Sequence, residues 1–381
     1  MTHLFLQQWW WFIVSLLGAA FVFMMFVQGG QSIAMQLAKT EEEERYVYNS
    51  LGRKWEMTFT ALVMFGGALY AAFPLFYSIS FGGAYWVWMI ILFSFVLQAV
   101  AYEYRTKAAN LLGKKTYHWF LYFNGFVGTV LIGAAVATFF TGSNFSFNSM
   151  SRQLAWGVAS DGINLRGLEA AIDFSHGALF NLIFGLMLLF LVRVTGALWV
   201  NNNVTNEAVK ERAQKLAKIN FIIFLPLYLA VLVMLIMMKG YHYDAEGVVT
   251  LVKGQYLNAL LDGGAYKLIL LLIGTVLVVY GVFLGAIKGL RKGFWFANVG
   301  VLLVVMVIFF LAGFSNSAFY PSYADLQSSV TIINGSGSAV GLKVMFYVSL
   351  FTPLVLLEVA YTWYVMRKPI DEEDVNDHHA Y

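Results

Sequence analysis

The chain has 381 residues, 60% hydrophobic and 12% charged, with a formal net charge of +3 and a mean hydropathy of +0.70. Soluble domains carry about 25% charged residues, so this composition excludes a soluble protein, and the small net charge offers no nucleic-acid surface. The absence of cysteine excludes disulfides, thiolate metal sites and cysteine nucleophiles.

A spanning helix needs about 20 mostly apolar residues. Nine segments qualify: 9–30, 56–79, 83–103, 117–141, 173–199, 219–239, 266–287, 294–313 and 343–366. They predict an all-α polytopic membrane protein with one integral membrane domain over 1–381. Spans one to four (9–141) and five to eight (173–313) suit two four-helix bundles. The ninth span (343–366) is then a peripheral helix, followed by a polar tail at 367–381.

The first apolar run lacks a basic stretch before it and a small-residue cleavage site after it, so it reads as a retained helix. Its end carries Gln28 and Gln31, three residues apart around Gly29 and Gly30. That pattern suits helix–helix hydrogen bonding where glycines allow close approach, and it could also order water. The acids Glu41 to Glu44 read as a solvated face.

Trp55 and Glu56 open the second span, with Thr60 one turn further on the same face. Ionisable residues in membrane spans are rare and mark proton or ion handling, so the pair could start a hydrogen-bonded path inward. The alternative is an interfacial Glu56 paired with Lys54 or Arg53. A short turn, Phe81-Gly82-Gly83, leads to the third span, which ends on Glu103 and Arg105 as an interfacial anchor.

His118 starts the fourth span and His176 the fifth, where Asp173 precedes it by three residues. The two histidines then lie a membrane thickness apart and cannot sandwich one haem, the usual use of histidine in membrane redox proteins. Arg193, inside the fifth span, is read as snorkelling towards the cytoplasm. Glu207 to Arg212 reads as a charged helical surface. Lys288 to Gly293 is the only punctuation between spans seven and eight. Glu358, in the ninth span, is the deepest carboxylate and suits a proton relay, a contact with a neighbouring chain or a satisfied interhelical bond.

Alternate gaps between spans collect most of the 24 bases: Lys39, Arg45, Arg53 and Lys54, then Arg105, Lys107, Lys114 and Lys115, then Lys210 to Lys218, Lys288 to Lys292, and Arg367 with Lys368. By the positive-inside rule the N-terminus is outside and the C-terminus cytoplasmic. There is no phosphate-binding loop, dinucleotide fingerprint or metal motif.

Gly66, Gly67, Ala68, Leu69, Tyr70, Ala71, Ala72, Phe73 and Pro74, followed by Tyr77, Phe81, Gly83 and Tyr85, resemble subunit II of the cytochrome bd-type quinol oxidases. The resemblance continues through Tyr102, Glu103, Tyr104, Arg105 and Lys107, and is preceded by Asn49, Ser50, Trp55 and Glu56. A second patch holds Pro321 and Ser322, Ser329 to Ile332, and Lys343 to Arg367 with Pro353. The resemblance implies a bacterial inner-membrane complex that oxidises quinol, reduces oxygen to water and takes protons from the cytoplasm. It implies haem b and haem d on a partner, subunit I, in a heterodimer, with this chain binding no cofactor alone and having no catalytic residue.

Two departures mark a divergent branch. The family places an acid in a first-helix Gly-Phe-Asp motif, where this chain has Phe26, Val27 and Gln28; and Met57 and Thr58 follow Glu56 in place of Gly-Asn. Glu56 is then the carboxylate carried over from the family. The choice of ubiquinol or menaquinol, a small single-helix subunit, and a bound quinone or membrane lipid stay open. The rivals are a secondary transporter, disfavoured by only five prolines and no evident inverted repeat, and a purely scaffolding membrane subunit.

Overall fold

The computed structural model describes residues 1–107, 110–148, 151–157 and 166–371. The first apolar stretch forms α1 (His3–Met24) and α2 (Phe26–Leu37), separated at Met25. Next come α3 (Glu41–Gly52), α4 (Trp55–Ala72), α5 (Pro74–Gly83) and α6 (Tyr85–Tyr104). Then α7 (Lys114–Phe123) passes through a π-turn at Asn124–Gly128 into α8 (Thr129–Thr141). The short α9 (Glu169–Ile172) leads to α10 (Ala178–Asn203) and α11 (Glu207–Met237). The remainder is α12 (Gln255–Leu261), α13 (Tyr266–Val282), α14 (Gly293–Gly313), α15 (Ala339–Ser349) and α16 (Thr352–Val365).

Among the described residues seven helical segments are long and apolar enough to cross a membrane, or eight if the bent pair α15–α16 counts as one. The predicted second span is divided at Phe73, because Pro74 removes a backbone donor and starts a new helix. The predicted ninth span is divided between Ser349 and Thr352, with a 42° bend. Both pairs still run the length of the molecule. Lys54, before α4, donates to the Met366 carbonyl (3.3 Å), and Gly337, before α15, donates to the Ala72 carbonyl (2.9 Å). Helices α4 and α15–α16 therefore run antiparallel and are clipped together at both ends, with α1 packed against α4 and α15.

Other boundaries move for local reasons. Helix α11 starts at Glu207, well before the apolar stretch, because the Asn206 side chain caps it by accepting from Val209 N. Helix α10 starts five residues after the predicted span, because Asp173 to His176 form a 3₁₀ turn. The break at Lys288 falls where expected, just after a π-turn at Phe283–Ile287.

The helices do not separate into two bundles. Helix α10 packs along α2, α8 and α11, and α14 along α1 and α13, so both sequence groups contribute to the same two buried clusters. Trp11 in one and Trp199 in the other are the largest fully buried side chains. One end of the molecule holds Lys54, Arg105 and Lys114 and is called the basic end here. The other carries two antiparallel hairpins: β1 (Phe145–Asn148) with β2 (Gln153–Trp156), and β3 (Lys239–Tyr243) with β4 (Val249–Lys253).

Candidate functional site

The basic end encloses a buried polar network. Helix α3 closes it from below, started by a reciprocal capping box. Thr40 Oγ1 accepts from Glu43 N (3.2 Å), and Glu43 Oε2 accepts from Thr40 N (3.3 Å). Glu43 also pairs with Arg212 (2.5 Å). Burial pushes the Glu43 carboxyl up, but hydrogen bonds from Arg212 and the Lys39 and Thr40 amides outweigh it, and the net direction is down. Its neighbour Glu44 is held above its usual value by burial. The acidic run is thus divided: Glu41 and Glu42 are exposed, whereas Glu43 is a buried structural acid.

Helix α6 supplies the spine. Ser94, Gln98, Tyr102 and Arg105 are buried at helical spacing on one face. Gln28 Nε2 donates to Gln98 Oε1 (3.3 Å), and Gln31 Nε2 to the Tyr102 hydroxyl (3.0 Å). Asn124, in the π-turn, donates to Ser94 Oγ (3.2 Å). Trp55 stacks on Tyr102 at 5.8 Å. At the mouth, Arg105 lies over the Tyr48 ring (4.3 Å), and His118 stacks on the same ring (4.7 Å) with Glu44 3.8 Å away.

Polar atoms with no protein partner line this ladder: Gln28 Oε1, Gln31 Oε1, Gln98 Nε2, Asn124 Oδ1, Thr129 Oγ1, and Arg105 Nε and Nη2. Such groups call for internal water. Amides and hydroxyls pass hydrogen bonds along but do not titrate near neutral pH. The ladder from Ser94 to Arg105 holds no carboxylate.

The sequence-predicted residues divide into two sets. Gln28, Gln31, Trp55 and Arg105 converge on the network. Glu56, Thr60, Glu103 and Glu358 do not; all four are exposed. Glu56 and Thr60 face out of this chain, so no path leads from them into its own interior. Pro74 is exposed as well, and a Cβ at Gly67 would meet nothing within 4 Å, whereas one at Gly66 would only graze Phe81. Helix α16 has no buried residue among those described. Sequence reasoning missed Gln98, Ser94 and Asn124; the signal for the first two was a pair of single polar residues four apart in an apolar helix.

Above the ladder lies an apolar cavity of about 80 Å³, lined by Phe65, Phe139, Phe184, Phe224 and Phe309. Its hydroxyls, Tyr228 and Thr275, bond to each other (2.7 Å). At the hairpin end Asp173 pairs with His176 Nδ1 (2.8 Å), and His176 stacks on Tyr323 (4.2 Å). His118 and His176 thus sit at opposite ends, each engaged by its own neighbours. Among the described residues no three His, Cys, Asp or Glu side chains form a metal-binding group.

Fold and site together define a polytopic helical membrane protein with a polar interior ladder that holds no carboxylate and with isolated carboxylates exposed on its outer flank. The family profile of cytochrome bd terminal oxidase subunit II matches residues 6–366, and the chain belongs to that family. It is 28% identical over 233 residues to the probable cytochrome oxidase subunit 2 of Haemophilus influenzae; the match covers 61% of this chain and 57% of that protein. It is 25% identical over 370 residues to the cytochrome bd-I ubiquinol oxidase subunit 2 of Escherichia coli K12, covering 93% of each. The fold is similar to that of a chain in the bd oxidase structure from Geobacillus thermodenitrificans, with a TM-score of 0.62 at 16% identity, over 95% of this chain and 99% of the other.

Proposed function

We propose that this chain is the non-haem subunit of a bd-type oxidase in a bacterial inner membrane. Nine crossings put the two termini on opposite sides, and the bases of the basic end put the C-terminus in the cytoplasm and the N-terminus outside. A partner, subunit I, carries haem b and haem d, oxidises quinol and reduces oxygen to water, while this chain stabilises it and supplies part of the cytoplasmic proton route.

One observation carries the proton reading. Glu56, Thr60 and Glu358 are exposed on two helices that are clipped together at both ends. Counting from the Lys54–Met366 clip at about 1.5 Å per residue, Thr60 lies about 9 Å and Glu358 about 12 Å along the helices. Carboxylates on a membrane flank are costly unless a partner or water covers them, so this flank suits a subunit contact with Glu56 as the proton entrance and Glu358 deeper.

Two measurements test the reading. A reduced-minus-oxidised spectrum should show haem bands only when a second chain co-purifies; haem-free preparations with substrate uptake would sink it. Glu56→Gln should slow quinol-driven oxygen reduction about a hundredfold, the lower end of the scale for one lost proton-transfer group, with haem content unchanged. Unchanged turnover reduces Glu56 to an anchor.

A further inference from the structure

Arg193 is a cation inside a membrane helix, and no acid among the described residues answers it. Its Nε donates to Ser32 Oγ (3.0 Å), and its guanidinium lies 5.6 Å from the Phe126 and Phe190 ring centroids, beside Tyr122. Among the described residues no carboxylate pairs with it. The residue is half-buried, so its charge is neither sealed in the core nor free in water.

Two stripes converge on it. On the membrane part of α10, Leu179, Leu182, Ile183, Leu186, Phe190 and Arg193 are not buried and form a single face at helical spacing that leads to the cation. On α7 and its π-turn, Lys115, Trp119, Tyr122 and Phe126 form a second face, running from an exposed lysine at the basic end up to the guanidinium. Ser32 lies about 8 Å above the end of α2, and Tyr122 about 12 Å above the start of α7. Helix α10, with 26 residues, is about 39 Å long and overshoots a hydrocarbon core of about 30 Å. Arg193 is ten residues, about 15 Å, from the end of α10, so with about 4.5 Å of overshoot its Cα lies about 10 Å inside the hydrocarbon boundary. The guanidinium, at the level of Ser32 and Tyr122, lies about 4–8 Å inside, a depth from which an arginine snorkels to a lipid phosphate.

We propose that the groove between α2, α7 and α10 binds an anionic phospholipid, with the phosphate on Arg193 and an acyl chain along Leu186 and Phe190. A guanidinium offers a planar fork that matches phosphate oxygens, and the missing acid leaves a net charge that an anionic headgroup neutralises. The aromatic stripe beside it suits the interfacial depth. This flank is separate from α4 and α15–α16, so the site does not depend on the proton reading.

The test uses the purified oxidase complex and native mass spectrometry with dioleoylphosphatidylglycerol, dioleoylphosphatidylcholine or inorganic phosphate. The wild type should retain phosphatidylglycerol over phosphatidylcholine by about tenfold, and Arg193→Gln should lose that preference. Arg193→Lys should lose about threefold, because the ammonium keeps the charge but not the fork. Equal phosphatidylglycerol retention in wild type and Arg193→Gln overturns the proposal. So does full displacement by inorganic phosphate, which identifies a free-anion site. Should Arg193→Gln fail to assemble, Arg193→Lys and Leu186→Trp decide: both should weaken retention at unchanged haem content, and unchanged retention in both overturns it.

Discussion

Lys54 is 1% exposed, donates to the Met366 carbonyl and lies 4.7 Å from the Trp363 ring. Burial, with a smaller push from Arg53, lowers its ammonium to about 8. Below pH 8 the fold holds a desolvated cation that the unfolded chain would hydrate. Between about 8 and the ordinary 10.5 the unfolded chain binds more protons, so stability should rise with pH across that window. The full penalty is about 3 kcal/mol. Thermal unfolding of the wild type should therefore shift upwards from pH 7.5 to 9.5, and Lys54→Met should lack the rise. Parallel pH profiles would show that Lys54 titrates normally. The charge of Lys54 was legible in the sequence; its burial was not, because Met366 lies 312 residues away. Glu43 is the opposite case: the spacing of Thr40 and Glu43 spells a capping box, yet four consecutive acids look like a uniform solvated face.

At the scale of elements, α2 and α10 approach so closely that glycine is required on both. A Cβ at Gly29 would lie 1.7 Å from the Val192 carbonyl oxygen, and one at Gly196 would lie 2.3 Å from Gly30 N. These are backbone atoms and cannot yield without parting the helices. The contact positions Gln28 and Gln31 against α6, so Gly29→Ala should disturb both packing and ladder. Its cost should be about 3 kcal/mol or more, the overpacking scale, read as lost haem-bearing complex or a lower unfolding temperature. Gly67→Ala is the contrast, since nothing stands within 4 Å in this chain. It should leave this chain's fold unchanged and weaken only the association with a partner that covers α4. A normal unfolding temperature for Gly29→Ala would contradict the close approach. The glycines and glutamines of α2 were legible as a packing motif, but their partners on α6 and α10 were not, since apolar helices carry no register in sequence.

At the scale of the whole molecule, hydropathy found the helical segments and the bases found the basic end, because both signals are local. What it missed is the division of one span at Phe73, which Pro74 imposes locally, the division of another beyond Ser349, and the nonlocal packing that joins the two sequence groups. Orientation rests on the bases alone, and the lack of any native cysteine makes it directly measurable. Leu111 and Arg291 are exposed at the basic end, and Glu246 is exposed in the turn between β3 and β4. Single cysteines at these sites should leave the fold unchanged. In intact spheroplasts a membrane-impermeant maleimide should label Glu246→Cys, and should label Leu111→Cys and Arg291→Cys only after permeabilisation. The reverse pattern would turn the molecule over and place Glu56 on the outer face, where it could not admit cytoplasmic protons. Labelling of all three from outside would mean that the segments between them do not cross in pairs. The proton entrance and the topology therefore stand or fall together, whereas the Arg193 groove needs only its depth in the bilayer, which either orientation preserves.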